Sequence, residues 1–126
     1  MLEKYKNWTR EFMESWKNLE GVPTTRLVSE NALYYENPID EPCKDFEEIK
    51  ELWAVVPSNQ KDITYTYEIM AHNDEYALVN FKMERIFITN NEKQFIDGIF
   101  QISLNDEGLC TYFKQWRFTK SERLGE

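Results

Sequence analysis

Ala32-Leu33-Tyr34-Tyr35-Glu36-Asn37-Pro38 is the stretch on which the fold turns. Its aromatic letters favour an extended strand, and Pro38 stops that strand in a loop bearing polar groups. The chain before it reads as helix, and after Trp53 it reads almost entirely as strand. The segment therefore has to join helices to a sheet and lie against both. A site would begin here.

Upstream, Tyr5, Trp8, Phe12, Trp16 and Leu19 recur every three or four residues, while Glu3, Lys4, Lys6, Arg10, Glu14 and Lys17 fall between them. This is the pattern of an amphipathic helix with one aromatic stripe. Packing against a sheet and lining a cavity both fit the stripe. Gly21 is expected to end the helix and Pro23 to prevent its resumption. Thr24 or Thr25 then caps a short second helix through Arg26, Leu27, Val28 and Ser29. Pro38 and Pro42 bracket an extended loop, and Asp45 with Glu48 three residues on makes a capping box for a third helix. That helix puts Phe46, Ile49, Leu52 and Trp53 on one face, and Pro57 closes it.

Downstream the period changes to two. Ile63, Tyr65, Tyr67, Ile69 and Ala71 alternate with Thr64, Thr66, Glu68 and Met70, and His72-Asn73-Asp74 turns the chain into a second run, Tyr76 to Thr89. Asn90-Asn91-Glu92 turns it again into Gln94 to Leu104. Asn105-Asp106-Glu107-Gly108 leads into a last run, Leu109 to Thr119, with glycine where a positive φ would be needed. Three tight connections in succession predict an antiparallel meander. Ser121 to Glu126 carry no pattern and are expected to fray.

At 126 residues the chain reads as one domain, residues 1–126, able to bury a core without disulfide or metal staples. Seven Tyr, eight Phe and four Trp supply rings for a core, an apolar cavity or an interface. The net charge of −8 repels phosphate backbones and anionic lipid heads, which argues against nucleic-acid and membrane-surface partners. Cys43 and Cys110 lack a CxxC spacing, and with one histidine they do not make the usual zinc ligand set, so free thiols and no metal or cofactor are expected. The N-terminus has no apolar signal run and no window is long and apolar enough to span a membrane, so a cytoplasmic location is the expectation.

In the second run, the odd positions Ala77, Val79, Phe81, Met83 and Phe87 are apolar and point inward, and Arg85 lies among them. An inward arginine is costly unless it is paired or faces a wet cavity. Two readings stay open for it, an inter-strand salt bridge and a ligand-binding role. The opposite face is not wholly polar, because Leu78, Ile86, Ile88, Ile99, Tyr112, Trp116 and Phe118 leave an apolar outer surface. A second copy of the same sheet is the expected cover, making a homodimer.

The order of elements, namely three helices, a short strand with Tyr-x-Asn-Pro, a capped helix ending in Ile-x-x-x-Trp and a four-strand meander, resembles the nuclear transport factor 2-like superfamily and its SnoaL-like group. The resemblance runs from about Tyr5 to Thr119. It implies an α+β fold, a cone-shaped barrel of three N-terminal helices packed on a curved, mostly antiparallel sheet, enclosing a cavity. That shell hosts isomerases, epoxide hydrolases, polyketide cyclases, dehydratases and binders, so the fold does not choose among them.

Matched residues exclude some chemistries. A ketosteroid-isomerase-like member is expected to carry its carboxylate base where this chain has Asn37, and its oxyanion tyrosine and protonated aspartic acid would fall near Phe12 and Phe100. Limonene-epoxide-hydrolase-like members are similar in Tyr35, Asn37 and Arg85, but their two aspartates would fall at Phe87 and Gln115. A scytalone-dehydratase-like mechanism asks for cavity histidines, and His72 lies in a predicted turn. What remains is a ligand-binding constellation of Tyr35, Asn37, Trp53, Arg85 and Gln115, suited to orienting a small polar or anionic ligand on an aromatic background. Glu36 and Asp97 are the nearest acids, and strand alternation sets each on the face opposite its inward neighbours. The expected function is that of a small-molecule-binding protein. The alternatives are a lyase, isomerase or hydrolase acting on a small carbonyl compound, and a dimeric interaction module without catalysis.

Overall fold

The computed structural model describes residues 2–20 and 24–125. A long first helix, α1 (Leu2–Lys17), is followed by a single turn, α2 (Thr24–Leu27), and the first strand, β1 (Val28–Tyr35). A second long helix, α3 (Phe46–Ala54), and another single turn, α4 (Val56–Asn59), precede four strands: β2 (Gln60–His72), β3 (Ala77–Phe87), β4 (Glu92–Leu104) and β5 (Cys110–Arg123). The five strands form one mixed sheet in the order β1-β5-β4-β3-β2, with β1 parallel to β5 and the other pairs antiparallel. The chain thus passes from one sheet edge to the other between β1 and β2, and α3 and α4 occupy that passage.

The aromatic stripe of α1 is the centre of the core. Tyr5, Trp8, Phe12 and Trp16 are all buried. Phe12 meets the rings of Trp8, Trp16, Trp53, Phe100 and Phe113 at centroid distances of 4.8–6.1 Å, mostly edge-on or tilted, as ring quadrupoles prefer. The polar tips of the stripe are also used: Trp8 Nε1 donates to the Leu27 carbonyl at 2.8 Å and Tyr5 Oη to the Asn73 carbonyl at 2.9 Å. Because each buried tip finds an acceptor, the helix is fixed in rotation as well as in position.

Several boundaries differ from the sequence reading. Helix α1 stops at Lys17, earlier than expected, and Leu19 takes a left-handed φ of 58° to turn the chain. The proposed stop at Gly21 and Pro23, and the capping side chains of Thr24 and Thr25, lie outside the described residues. Strand β1 begins at Val28, not Ala32, because pairing with Cys110 of β5 outweighs the helical letters there. The capping box at α3 is formed, with Asp45 Oδ1 accepting from Glu48 N and Glu48 Oε1 from Lys44 N, both at 2.9 Å. Pro57 does not close the helical region; it sits in the first turn of α4, where its missing N–H leaves no bond unmade. The tail expected to fray extends β5 to Arg123, since β4 offers it a ladder from Glu92 onward.

The meander turns follow the sequence signals. Asn73 Oδ1 accepts from Glu75 N and Tyr76 N, and Asn105 Oδ1 from Glu107 N and Leu109 N, while Gly108 supplies a φ of 82°. Side-chain carbonyls here take the place of strand partners that the turn removes.

Candidate active or binding site

A cavity of about 250 Å³ lies between α1, the α3–α4 passage and the inner sheet face, and Trp16, Tyr34, Trp53, Gln60, Arg85 and Gln115 contribute its polar atoms and aromatic walls. Phe87, Asn59, Glu36 and Arg117 also line it. A larger open groove of about 690 Å³ lies on the opposite sheet face, lined by outward residues such as Lys82, Glu84, Asp97 and Phe118. Of the two, the inner cavity holds the buried polar side chains of Gln60, Arg85 and Gln115, so it is the candidate site.

Strand alternation carries Arg85 inward from β3, where its side chain is 5% exposed. Its Nε donates to Gln94 Oε1 at 2.8 Å, and its guanidinium lies 5.6 Å from the Phe87 ring centroid. Among the described residues Arg85 forms no ion pair within 4.0 Å. Burial, and then the like charge of Arg117, push its pKa down from 12.5 to about 10, with Glu36 acting the other way. The cation is therefore still charged at neutral pH and only weakly compensated.

Arg117 Nη2 stands 3.8 Å from Glu36 Oε1, both side chains being partly exposed. Gln115, 4% exposed, donates from Nε2 to the Glu36 carbonyl at 3.1 Å, tying β5 to the end of β1. Trp53 Nε1 donates to Tyr34 Oη at 3.2 Å, and Trp16 Nε1 donates to Gln60 Oε1 at 2.8 Å. Burial holds the Tyr34 phenol well above its ordinary pKa, so its hydroxyl stays neutral.

Of the residues singled out in the sequence, the structure brings Trp53, Arg85 and Gln115 together and places Tyr35 and Asn37 elsewhere. Tyr34, not Tyr35, points inward and stacks on Phe113 at 4.3 Å. Tyr35 faces outward, against Tyr112 and beneath the Lys114 ammonium at 5.1 Å. Asn37 organises its own loop, its Oδ1 accepting from Ile39 N and Asp40 N and its Nδ2 donating to Asp40. The face of β1 was ambiguous because Ala32 and Tyr34 are as apolar as Leu33 and Tyr35. With the face reversed, Glu36 joins the cavity, while Asp97 remains on the outer face, accepting from Asn80.

Tyr34, Gln60 and Arg117 were not among the residues chosen from sequence. Arg117 continues the inward alternation Phe113, Gln115, and that signal could have found it. Nothing local marks Gln60, which becomes a site residue through its bond to Trp16. Among the described residues no cluster of three or more His, Cys, Asp or Glu is placed to hold a metal ion. No described helix is long and apolar enough to cross a membrane.

No protein-family model matches the sequence, and no curated protein matches it significantly. Solved structures do match. A putative isomerase from Bacillus subtilis superposes with a TM-score of 0.80 at 17% identity, covering 93% of this chain and 88% of the other. SalBIII, an epoxide hydrolase/cyclase-like enzyme in pyran ring formation in the polyether salinomycin, gives 0.78 at 15% identity over 92% of each chain. An NTF2-like protein from Burkholderia xenovorans gives 0.71 at 13% identity over 92% of this chain and 90% of the other. This chain has the nuclear transport factor 2-like fold. At these identities the likeness concerns the fold, and activity has to be argued from the residues of the cavity. Within the nuclear transport factor 2-like fold of this chain, those residues are two guanidiniums, one carboxylate, two glutamines, an asparagine and a phenol on aromatic walls.

Proposed function

We propose that the protein binds a small molecule with a negative or carbonyl end in the inner cavity, with Arg85 as its anchor. The observation that carries this reading is the Arg85 guanidinium itself, buried, lining the cavity and held by a neutral amide rather than by an acid. A buried cation without a counter-charge is unfavourable, and such perturbed groups concentrate where function uses them. Arginine also presents a planar fork of donors that matches a carboxylate. Trp16, Trp53 and Phe87 give the body of the ligand flat apolar walls. Tyr35 and Asn37 are left out of this role by their placement.

The same reading takes the chain as a single domain whose sheet and helices close into a cone-shaped barrel around the cavity. It also takes two copies to pair through the outer sheet face, where Trp116 is 37% and Phe118 84% exposed. A cytoplasmic setting suits the unpaired thiols of Cys43 and Cys110.

A second reading, a lyase, isomerase or hydrolase acting on a small carbonyl compound, is favoured by Glu36. Its carboxylate lines the same cavity as two arginines able to stabilise developing negative charge, and a partly exposed carboxylate can take a proton. The likeness in fold to SalBIII, an epoxide hydrolase/cyclase-like enzyme, supports this second reading.

Thermal-shift screening of small carboxylates and carbonyl compounds against the wild type and Arg85→Met tests the primary reading. Carboxylates should raise the melting temperature of the wild type and leave the variant unmoved. Equal response in both proteins, or no response to any compound in either, would overturn it.

A further inference from the structure

We infer that the ligand is a small oxocarboxylate, its carboxylate on Arg85 and its oxo oxygen received by Tyr34 and Gln60. This rests on the reading of the cavity above and deepens it. The reason is a census of hydrogen-bonding atoms whose assignments are forced by their partners. An indole N–H only donates, so the Gln60 atom bonded to Trp16 Nε1 at 2.8 Å must be Oε1, and the Nε2 amide is left to donate. The Tyr34 oxygen accepts from Trp53 Nε1 at 3.2 Å, which leaves the hydroxyl proton to donate. The Glu36 carbonyl only accepts, so Gln115 turns Nε2 toward it at 3.1 Å and leaves Oε1 as an acceptor. Arg85 engages Nε with Gln94 at 2.8 Å and keeps its terminal N–H groups.

All four side chains are buried, and all four line the one cavity. Arg85, Tyr34 and Gln60 therefore offer donors from three elements, while the acceptors in the cavity are Gln115 Oε1, the buried and unpartnered Asn59 Oδ1 and the Glu36 carboxylate already beside Arg117. A ligand that satisfies the three donors must present acceptors to them. The charge agrees, since two guanidiniums face one carboxylate, leaving a single positive charge for a monoanion to match. An oxo oxygen has lone pairs for both the Tyr34 and Gln60 donors and brings no hydrogen that needs an acceptor. An ammonium in its place has no lone pair for the Tyr34 and Gln60 donors. A cavity of about 250 Å³ lies below the usual range for drug-sized ligands, which limits the compound to a small skeleton.

Calorimetric titration of the purified protein with benzoylformate, phenylacetate, mandelate, phenylglycine and inorganic phosphate tests the inference. The four organic probes share a phenyl ring and a carboxylate and differ in the group between them. Benzoylformate should bind roughly fivefold or more tighter than phenylacetate, the worth of about one net hydrogen bond. Mandelate should bind no tighter than benzoylformate, and phenylglycine and phosphate should bind too weakly to measure. Gln60→Glu keeps the oxygen that Trp16 bonds and exchanges the donor for a second oxygen, so it should erase the preference for benzoylformate. Tyr34→Phe should reduce that preference. If either variant fails to fold, the wild-type series decides alone. Phenylacetate binding as tightly as benzoylformate, with both lost in Arg85→Met, would overturn the oxocarboxylate inference and leave the anchoring role of Arg85 standing. Mandelate binding more tightly than benzoylformate would also overturn the inference. Absence of binding by every carboxylate would overturn the inference together with the proposed function.

Discussion

Arg85 and Gln94 face each other as a register pair across β3 and β4, and the guanidinium Nε donates to the amide oxygen at 2.8 Å. A buried cation is thereby oriented without being neutralised. A carboxylate at position 94 would have made a closed ion pair with no charge left for a ligand. Glutamine supplies the geometry and leaves the charge available.

Arg85→Met should therefore stabilise the ligand-free protein at neutral pH by about 1–3 kcal/mol, because it removes a desolvated charge and orphans no buried acid. The pH dependence has a definite sign. The folded pKa of about 10 lies below the ordinary 12.5, so above pH 10 the unfolded chain binds more protons and the wild type gains stability as pH rises. Urea denaturation of both proteins from pH 7 to 11 should show the advantage of the variant largest at pH 7 and beginning to shrink as pH passes 10. An Arg85→Met protein less stable at pH 7 by about 3 kcal/mol would instead indicate a lost structural pair.

Gly98 lies opposite Phe81 in the β3–β4 register. A Cβ added there would fall 2.7 Å from Phe81 Cε1 and 2.8 Å from the Trp116 carbonyl oxygen, and the second of these is backbone that cannot rotate away. Gly98→Ala should cost about 1–3 kcal/mol or more through overpacking, read from the midpoint of chemical denaturation. An unchanged midpoint would mean that the ring does not rest on the strand in solution.

Cys43 is half-buried and Cys110 fully buried, and neither is bonded to the other. Burial pushes the Cys110 thiol up to about 12, and the Cys43 thiol is raised as well, so neither offers much thiolate at pH 8. A thiol reagent should label Cys43 slowly and Cys110 hardly at all in the native protein, and both at once after unfolding without reductant. Mass spectrometry that finds fewer than two labelled thiols after unfolding would contradict this.

If two copies pair through the outer sheet face, sedimentation at micromolar concentration should give about twice the chain mass, 15.2 kDa. Trp116, partly exposed and stacked with the Lys114 ammonium at 5.4 Å, is central to that face. Trp116→Glu would bury a carboxylate in the contact and should shift the species to monomer with little loss of fold. Wild-type protein that stays monomeric at high concentration would dispose of the pairing.

Much of this molecule was legible in one dimension where a periodicity had only one apolar phase. The stripe of α1 follows from local spacing because its other faces are charged, the capping box at Asp45 from its three-residue interval to Glu48, and the inward setting of Arg85 because Asn80, Lys82 and Glu84 hold the middle of the opposite face. The asparagine turns follow in the same way, since their side chains bond their own backbone. Tertiary structure decided the rest where two phases were equally apolar or where a role depends on a distant partner. Tyr34 faces inward because Phe113 stacks on it and Trp53 donates to it, and that choice moves Glu36 into the cavity and Tyr35 and Asn37 out of it. Gln60 becomes a donor to the cavity only because Trp16, 44 residues away, occupies its oxygen. Periodicity reports which side of an element avoids water, whereas the identity of each hydrogen-bond partner is set when remote segments meet.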